Sequence, residues 1–390
     1  MSEEAKEQQQ QITLCGSFGL GNIGDEALPF AFSDLARAHG FSVKVNLLSR
    51  YDDPFLRSSI GLSHEAEQRQ QSLAGQPCLL IGGGAVAPSR TSVLFRCAPV
   101  LKRIHPSYFA LFAISVEAGL PYNCMTRMRI RMLLHDAQAP LTVRDDLSAE
   151  ILQRIMPHRH VEVVGDTVLW MKPEHRLPVK LPRQYIAVSL TSRWSDRPGW
   201  YAWIAEQLHK VAARLKVPLV FLPFSWLIDD DRPEHRRVCE VLQFLHPEIS
   251  AHCIDNVLAP RQMLGIIDGA TLTIGMRLHA CVMSYARRVP FVALAYHPKL
   301  YGFARTVGWE RYIIPASVPL RQSTGRYGYA FSHVKTEEHL DLLAAEAMRN
   351  GSFSRLDDLR CRSARFFLRL MQLNQMQAAP ETASRPPFSL

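Results

Sequence analysis

Short apolar, β-branched runs alternate with stretches of helical periodicity through most of this chain, and that alternation limits its fold more than any other feature. Residues 12–18, 42–48, 77–81, 108–116, 141–143 and 161–164 read as strands, with helical stretches at 26–39, 126–136 and 147–156. Residues 171–183, with three prolines and mixed charges, read as a linker. A second series follows, with strands at 185–190, 218–223, 249–254, 271–274 and 291–295, and helices at 200–215, 234–245, 260–268 and 277–288. Such alternation implies parallel sheets covered by helices on both faces. The expectation is an α/β protein of two Rossmann-like parallel-sheet domains, residues 12–175 and 184–350, facing a ligand cleft at the carboxyl ends of their strands. A chain of 390 residues suits two domains better than one.

The ends differ from this core. Residues 1–11 are polar and glutamine-rich, without the apolar centre of a signal peptide, and read as a disordered tail on a cytoplasmic protein. Residues 355–377 set Leu359, Phe366, Phe367, Leu370 and Met371 against Arg360, Arg362, Arg365 and Arg369. This amphipathic helix either closes a domain or meets a membrane surface or a second copy. Residues 378–390 are proline- and serine-rich and read as a second disordered tail. No apolar run reaches the roughly 18–20 residues that span a bilayer. Eight cysteines lack C-x-x-C pairing, and Cys15, Cys78 and Cys281 lie in or beside apolar runs, as small buried hydrophobes do. The net charge of +9 asks for an acidic partner. No recognised nucleic-acid motif or basic–aromatic cluster accompanies it, so a phosphorylated small substrate, an anionic saccharide or an anionic membrane surface fits better than nucleic acid.

Chemistry concentrates at the strand ends. The strand at 271–274 breaks at Gly275 into a helix, whose unpaired N–H groups make a seat for an anion. Arg277 and His279 stand in its first turn, where a cation opposes the helix dipole unless an anion is bound. As ordinary structure, Arg277 would be solvated and His279 a satisfied core imidazole. The first strand ends in Cys15-Gly-Ser-Phe-Gly-Leu-Gly-Asn-Ile-Gly-Asp-Glu26, with four glycines in nine residues and Asp25 where a helix N-cap belongs. Gly19-x-Gly21-x-x-Gly24 resembles a dinucleotide fingerprint, yet no acid follows the second strand before Asp52, which argues against a nicotinamide cofactor. Gly82-Gly83-Gly84 offers a second loop for close approach, and Arg144 leaves a strand with Asp146 or Ser148 placed to cap the next helix.

Taken in order, Gly16 to Glu26, Gly82-Gly83-Gly84, Arg144-Asp-Asp-Leu-Ser148, Gly165-Asp166, Arg277-Leu-His-Ala280, and Tyr296-His-Pro-Lys299 with Gly302-Phe resemble the polysaccharide pyruvyl transferases over residues 12–310. Gly84 is followed by Ala-Val-Ala-Pro where many members keep a further glycine, and 191–201 match loosely. The resemblance implies a glycosyltransferase-B-like architecture and transfer of pyruvate from phosphoenolpyruvate to two sugar hydroxyls, forming a cyclic ketal and releasing phosphate. It implies a donor site of Arg144, Arg277, Leu278, His279 and Lys299, since a phosphate and a carboxylate need at least two cationic or N–H-rich clamps. His279 is the candidate acid/base, histidine being the residue suited to proton transfer near neutral pH. Asp25, with Glu26, would orient or deprotonate the acceptor, alongside Gly21, Asn22, Gly83, Gly84, Arg193 and Trp194. No metal or cofactor is implied beyond phosphoenolpyruvate as donor. Partners would be a saccharide of an exopolysaccharide or cell-wall glycan, or its polyprenyl-pyrophosphate-linked precursor, and an anionic inner membrane face. Two other readings stay open: a nucleotide-sugar glycosyltransferase of the same architecture, and a non-catalytic membrane-surface scaffold of a polysaccharide assembly complex. The first would want a late acid gripping a ribose, where this chain has His297 and Lys299.

Overall fold

A computed structural model describes residues 10–48, 75–88, 92–118, 122–135, 137, 139–195, 198–227, 229–315 and 340–378. The expected terminal tails lie outside these, apart from Gln10 and Gln11 in the first strand and Ala378 at the end of the last helix. By contact, the chain divides into two compact units. The first comprises 1–19, 28–170 and 357–390; the second comprises 20–27 and 171–356. The glycine-rich turn at 20–27, which the sequence reading assigned to the N-terminal domain, therefore groups with the second unit.

In the first unit, β1 (Gln10–Cys15), β2 (Val43–Leu48), β3 (Cys78–Ile81) and β4 (Phe109–Phe112) form a parallel sheet in the order β2-β1-β3-β4. Ile114 bridges to Val143 of β5 (Leu141–Val143), which pairs in parallel with β6 (Val161–Val163). The buried face is built by residues such as Leu80, Leu111, Ile130, Leu141 and Leu152. Its helices are α1 (Ile23–Ala38, whose first turn falls in the second unit), α2 (Val93–Ile104), α3 (Cys124–His135) and α4 (Asp146–Ile155). The strand expected at 108–116 is shorter, because Ala113 turns to φ +52° and ends the pairing.

The second unit holds β7 (Ile186–Ser189), β8 (Leu219–Phe221), β9 (Ala251–Cys253), β10 (Leu272–Gly275), β11 (Phe291–Ala295) and β12 (Ile313–Pro315). They form one parallel sheet in the order β12-β11-β10-β7-β8-β9, the doubly wound order of a Rossmann fold. Its helices are α5 (Trp200–Leu215), α6 (Arg232–Leu245), α7 (Pro260–Asp268), α8 (Leu278–Ala286), α9 (Pro298–Val307) and α10 (Leu340–Asn350). The expected linker packs on this unit, where Glu174 donates its N–H to the carbonyl of Arg261.

The C-terminal helix α11 (Arg355–Ala378) closes a domain, the first of the two readings given to it. Leu359, Phe366, Phe367, Leu370 and Met371 are buried. Phe367 meets Phe32 and Phe41 edge-on at 5.6 Å, and Phe366 stacks on Phe112 at 5.7 Å. Phe367→Ala is expected to cost about 3–5 kcal/mol, the usual range for a fully buried aromatic ring. A urea unfolding curve shifted by less than half of that would show that the site collapses around the deletion.

Candidate active site

In parallel α/β sheets, ligands bind beyond the carboxyl ends of the strands where the winding order reverses. In the second unit that point lies between β7 and β10, where Ser189 pairs with Gly275 and the Met276 N–H donates to the Ser189 carbonyl. β10 ends in glycine and α8 begins three residues later, at Leu278. Arg277 is its N-cap, at φ −75° and ψ 131°, one position ahead of the first turn in which it was expected. Every residue of α8 is buried, which is why its sequence carries apolar side chains all round.

Arg277 is 9% exposed and meets a carboxylate. Its Nε lies 3.1 Å from both Asp231 oxygens, its Nη2 lies 2.6 Å from Oδ1, and Nη2 also donates to the Asp229 carbonyl at 2.9 Å. The fork expected to grip a donor anion is thus held by the protein, with Nη1 3.8 Å from the Asp229 carboxylate. Asp231 Oδ2 also accepts the N–H groups of Phe224 and Ser225. Burial pushes the Asp231 carboxyl up to about 6, against the opposing pull of Arg277 and those two amides. One turn on in α6, His235 is buried and bonded to the backbone of Leu190. Desolvation lowers it to about 3, so it is neutral. Sequence reasoning missed Asp231 and His235. Their signal was the acidic run Asp229-Asp230-Asp231 ahead of Arg232-Pro233, a helix start with Pro at its second position.

The glycine-rich turn docks on this loop. Asn22 bridges to Ser225, Ile23 N–H donates to the Phe224 carbonyl, and Trp226 N–H to the Gly21 carbonyl. Helix α1 starts at Ile23, so Asp25 lies in its first turn instead of capping it; the Asn22 carboxamide accepts from Gly24 N–H. Glu26, expected at the acceptor, is buried with Oε1 accepting the N–H groups of Leu20 and Gly21. Gly24 faces His279 so closely that a Cβ there would overlap the imidazole. The two segments, remote in sequence, therefore share one place, and the absence of a side chain at position 24 is what allows it.

Around this centre, Lys299 stands half-buried in the first turn of α9 and forms no ion pair with a described residue. Arg193, in the turn Ser192–Trp194, is exposed and bonds Asp229 at 2.7 Å. Ser189 and Thr191 carry buried hydroxyls with no hydrogen-bond partner among the described residues, an unusual state for buried polar groups.

Three of the expected site residues belong to the first unit. Gly83 and Gly84 follow β3, with the Gly83 carbonyl accepting from the Ser17 hydroxyl. Gly82 before them takes φ +90°, and a Cβ there would meet Leu28. Arg144 is buried, 3.3 Å from Asp145 and 3.5 Å from Asp166. The cap of α4 is Asp145, which accepts from Ser148 N–H, in place of Asp146 or Ser148. One group of three described residues has the reach to hold a metal ion: His209, His246 and Glu248, at the far end of α6 from Asp231.

Solved structures share the fold at low sequence identity. A UDP-N-acetylglucosamine 2-epimerase superposes with a TM-score of 0.55 at 10% identity, covering 98% of this chain and 99% of that one. The epimerase of Neisseria meningitidis bound to UDP-GlcNAc gives 0.53 at 10%, over 93% and 100%. That of Rickettsia bellii gives 0.52 at 9%, over 95% and 98%. No curated protein matches the chain. Two Rossmann-like parallel-sheet domains of this kind define a glycosyltransferase-B-like protein. The particular family follows from sequence: the pattern of the polysaccharide pyruvyl transferases matches residues 22–298, well over half of the chain, and the chain belongs to that family.

Proposed function

We propose that this transferase takes pyruvate from phosphoenolpyruvate and closes it as a cyclic ketal on two hydroxyls of a saccharide, releasing phosphate. The observation that carries the reading is the meeting of Gly24 with His279 at the N-terminus of α8. It sets an imidazole beside the N–H groups of a buried helix N-terminus, and brings the acid-bearing turn at 22–26 to the same place.

In this mechanism the donor anion rests on the N–H groups of Leu278 and His279, with Lys299 supplying a point charge. The buried hydroxyls of Ser189 and Thr191 are further donors for its oxygens. His279 delivers a proton to the methylene carbon of the enol, so that C2 becomes electrophilic. A sugar hydroxyl adds to C2 as its own proton leaves, and Asp25 is the base assigned to that step. The C2–O bond to phosphate then breaks, and the second hydroxyl closes the ring, its proton returning to the imidazole of His279. Asn22, Gly21, Arg193 and Trp194 belong to the acceptor side. The acceptor class is a saccharide of an exopolysaccharide or cell-wall glycan, or its lipid-linked precursor. The reaction itself needs neither an oxidant nor a metal.

The test is to incubate the protein with phosphoenolpyruvate and a panel of saccharides, following phosphate release and product mass. Stoichiometric phosphate with a mass gain equal to a ketal-linked pyruvyl group is the expected result. Hydrolysis of a nucleotide sugar in its place would sink the donor assignment.

Arg277→Lys probes the donor side. An ammonium replaces a planar fork with one point charge and cannot keep both bonds to Asp231. The Michaelis constant for phosphoenolpyruvate is expected to rise about tenfold, the equivalent of about 1.4 kcal/mol. An unchanged value would place Arg277 outside the site.

A further inference from the structure

The exposed surface of the first unit carries a feature that pyruvyl transfer does not use. Helix α3 buries Ile130 and Leu134 and turns three methionines outward: Met125, Met128 and Met132 are 61%, 57% and 60% exposed. They fall at i, i+3 and i+7, one stripe on the side opposite the buried pair. Single exposed apolar residues are ordinary, but a contiguous stripe is not. The flanks of the stripe are basic. Arg129 and Arg131 lie to either side of it and are exposed, His135 closes the helix, and none of its twelve residues is acidic. The helix is also fixed from below. Arg131 Nε donates to the Ile155 carbonyl at 2.6 Å and Arg127 Nε to the Tyr122 carbonyl at 2.8 Å. Arg159 reaches the carbonyls of Leu134, His135, Ala137 and Ala139 at its C-terminal end.

We infer that α3 is the membrane-docking face of this protein, lying in the plane of an anionic bilayer with Met125, Met128 and Met132 in the headgroup–acyl boundary. The charge pattern selects the occupant: an apolar stripe between arginines, with no acid, matches a surface that is apolar below and negative at the rim. Methionine suits such a surface, since its unbranched thioether adapts to irregular packing. Arg129 would snorkel, laying its stem along the stripe with its guanidinium among lipid phosphates. Binding of this kind is weak and reversible. The protein's charge excess then has a place to act, and α11, whose apolar face is buried, is released from that role. The inference is independent of which donor the enzyme uses.

The experiment is co-sedimentation of the full chain with vesicles of pure phosphatidylcholine or of phosphatidylcholine with phosphatidylglycerol, at low and high salt. Wild-type protein is expected to pellet with the anionic vesicles at low salt and to be released at high salt. Met125→Ser, Met128→Ser and Met132→Ser combined should lower the partition coefficient at least about tenfold, and Arg129→Glu by a comparable factor. All four positions are exposed, so thermal unfolding should stay at the wild-type temperature. Wild-type protein that remains in the supernatant with anionic vesicles overturns the inference. So does a triple-methionine variant that pellets like the wild type. Loss of self-association in that variant, seen by sedimentation velocity without any vesicle binding, assigns the stripe to a second copy and overturns it equally.

Discussion

His279→Ala is expected to abolish turnover, by roughly 10²–10⁴ in rate, while phosphoenolpyruvate binding survives. The helix end, Lys299 and the hydroxyls near β7 remain to hold the anion, so the loss should fall on kcat and leave the donor dissociation constant within a few-fold. Gly24→Ala tests the same assignment from the other side. A methyl group at position 24 would occupy the volume of the imidazole, so the ring must rotate away or the turn must move. The single variant is expected to lose at least about tenfold in kcat, since small misplacements of a reacting group are costly. Added to His279→Ala, however, Gly24→Ala should cost nothing further in rate, because the group it displaces is gone. Rates measured across this double-mutant cycle separate an effect exerted through His279 from general damage to the fold. Additive losses would show that Gly24 acts on something else, and near-wild-type phosphate release from folded His279→Ala would end the acid/base assignment.

What the sequence disclosed, and what it concealed, divides along physical lines. The strands of both sheets other than the three-residue edge strand β12, and the β10–Gly275–α8 junction, were legible because apolar period and glycine punctuation are local signals. Helix α2 was not, since Pro99 inside it breaks the pattern that marks a helix. Helix α9 begins at Pro298 within a segment that reads first as a site loop. The same limit governs the site. Arg277 and His279 were visible as cations at a helix start, but their partners were not. Asp231 reaches Arg277 from a different helix, and the turn that presents it is pinned by pairing Asn22 to Ser225. Nothing in the local sequence announces those contacts. Arg277 in isolation therefore looked like an open clamp, when its guanidinium already holds a carboxylate. Gly24 was read as a means of close approach to a ligand; the group it accommodates is the enzyme's own imidazole.

Asp231→Asn should be the most damaging substitution for the fold around the site. It keeps the shape of the side chain but removes the charge that Arg277 faces from within the protein. Protonation neutralises this carboxyl below about pH 6 without cost to the fold, so the loss comes from the polar mismatch that the amide leaves, typically about 1–3 kcal/mol for an unsatisfied buried group. The amide would turn a donor towards a guanidinium that has only donors. A fall in chemical-denaturation stability of that size is expected, together with a raised Michaelis constant for phosphoenolpyruvate as Arg277 loses its orientation. The pH response adds a signature that a merely structural residue would not give. Burial holds the folded carboxyl at about 6, above its value in the unfolded chain near 4. Between those two values the folded state keeps a proton that the unfolded state releases, so this group's contribution to stability falls as pH rises through the window. The ion pair with Arg277 runs in the opposite sense, forming only as Asp231 ionises. Lowering the pH below about 6 is therefore expected to weaken donor binding without destabilising the fold through this group. Comparing the wild type with Asp231→Asn at each pH cancels the donor's own titration. If the two show the same pH dependence in both unfolding and donor affinity, Asp231 does not hold Arg277 in place for binding.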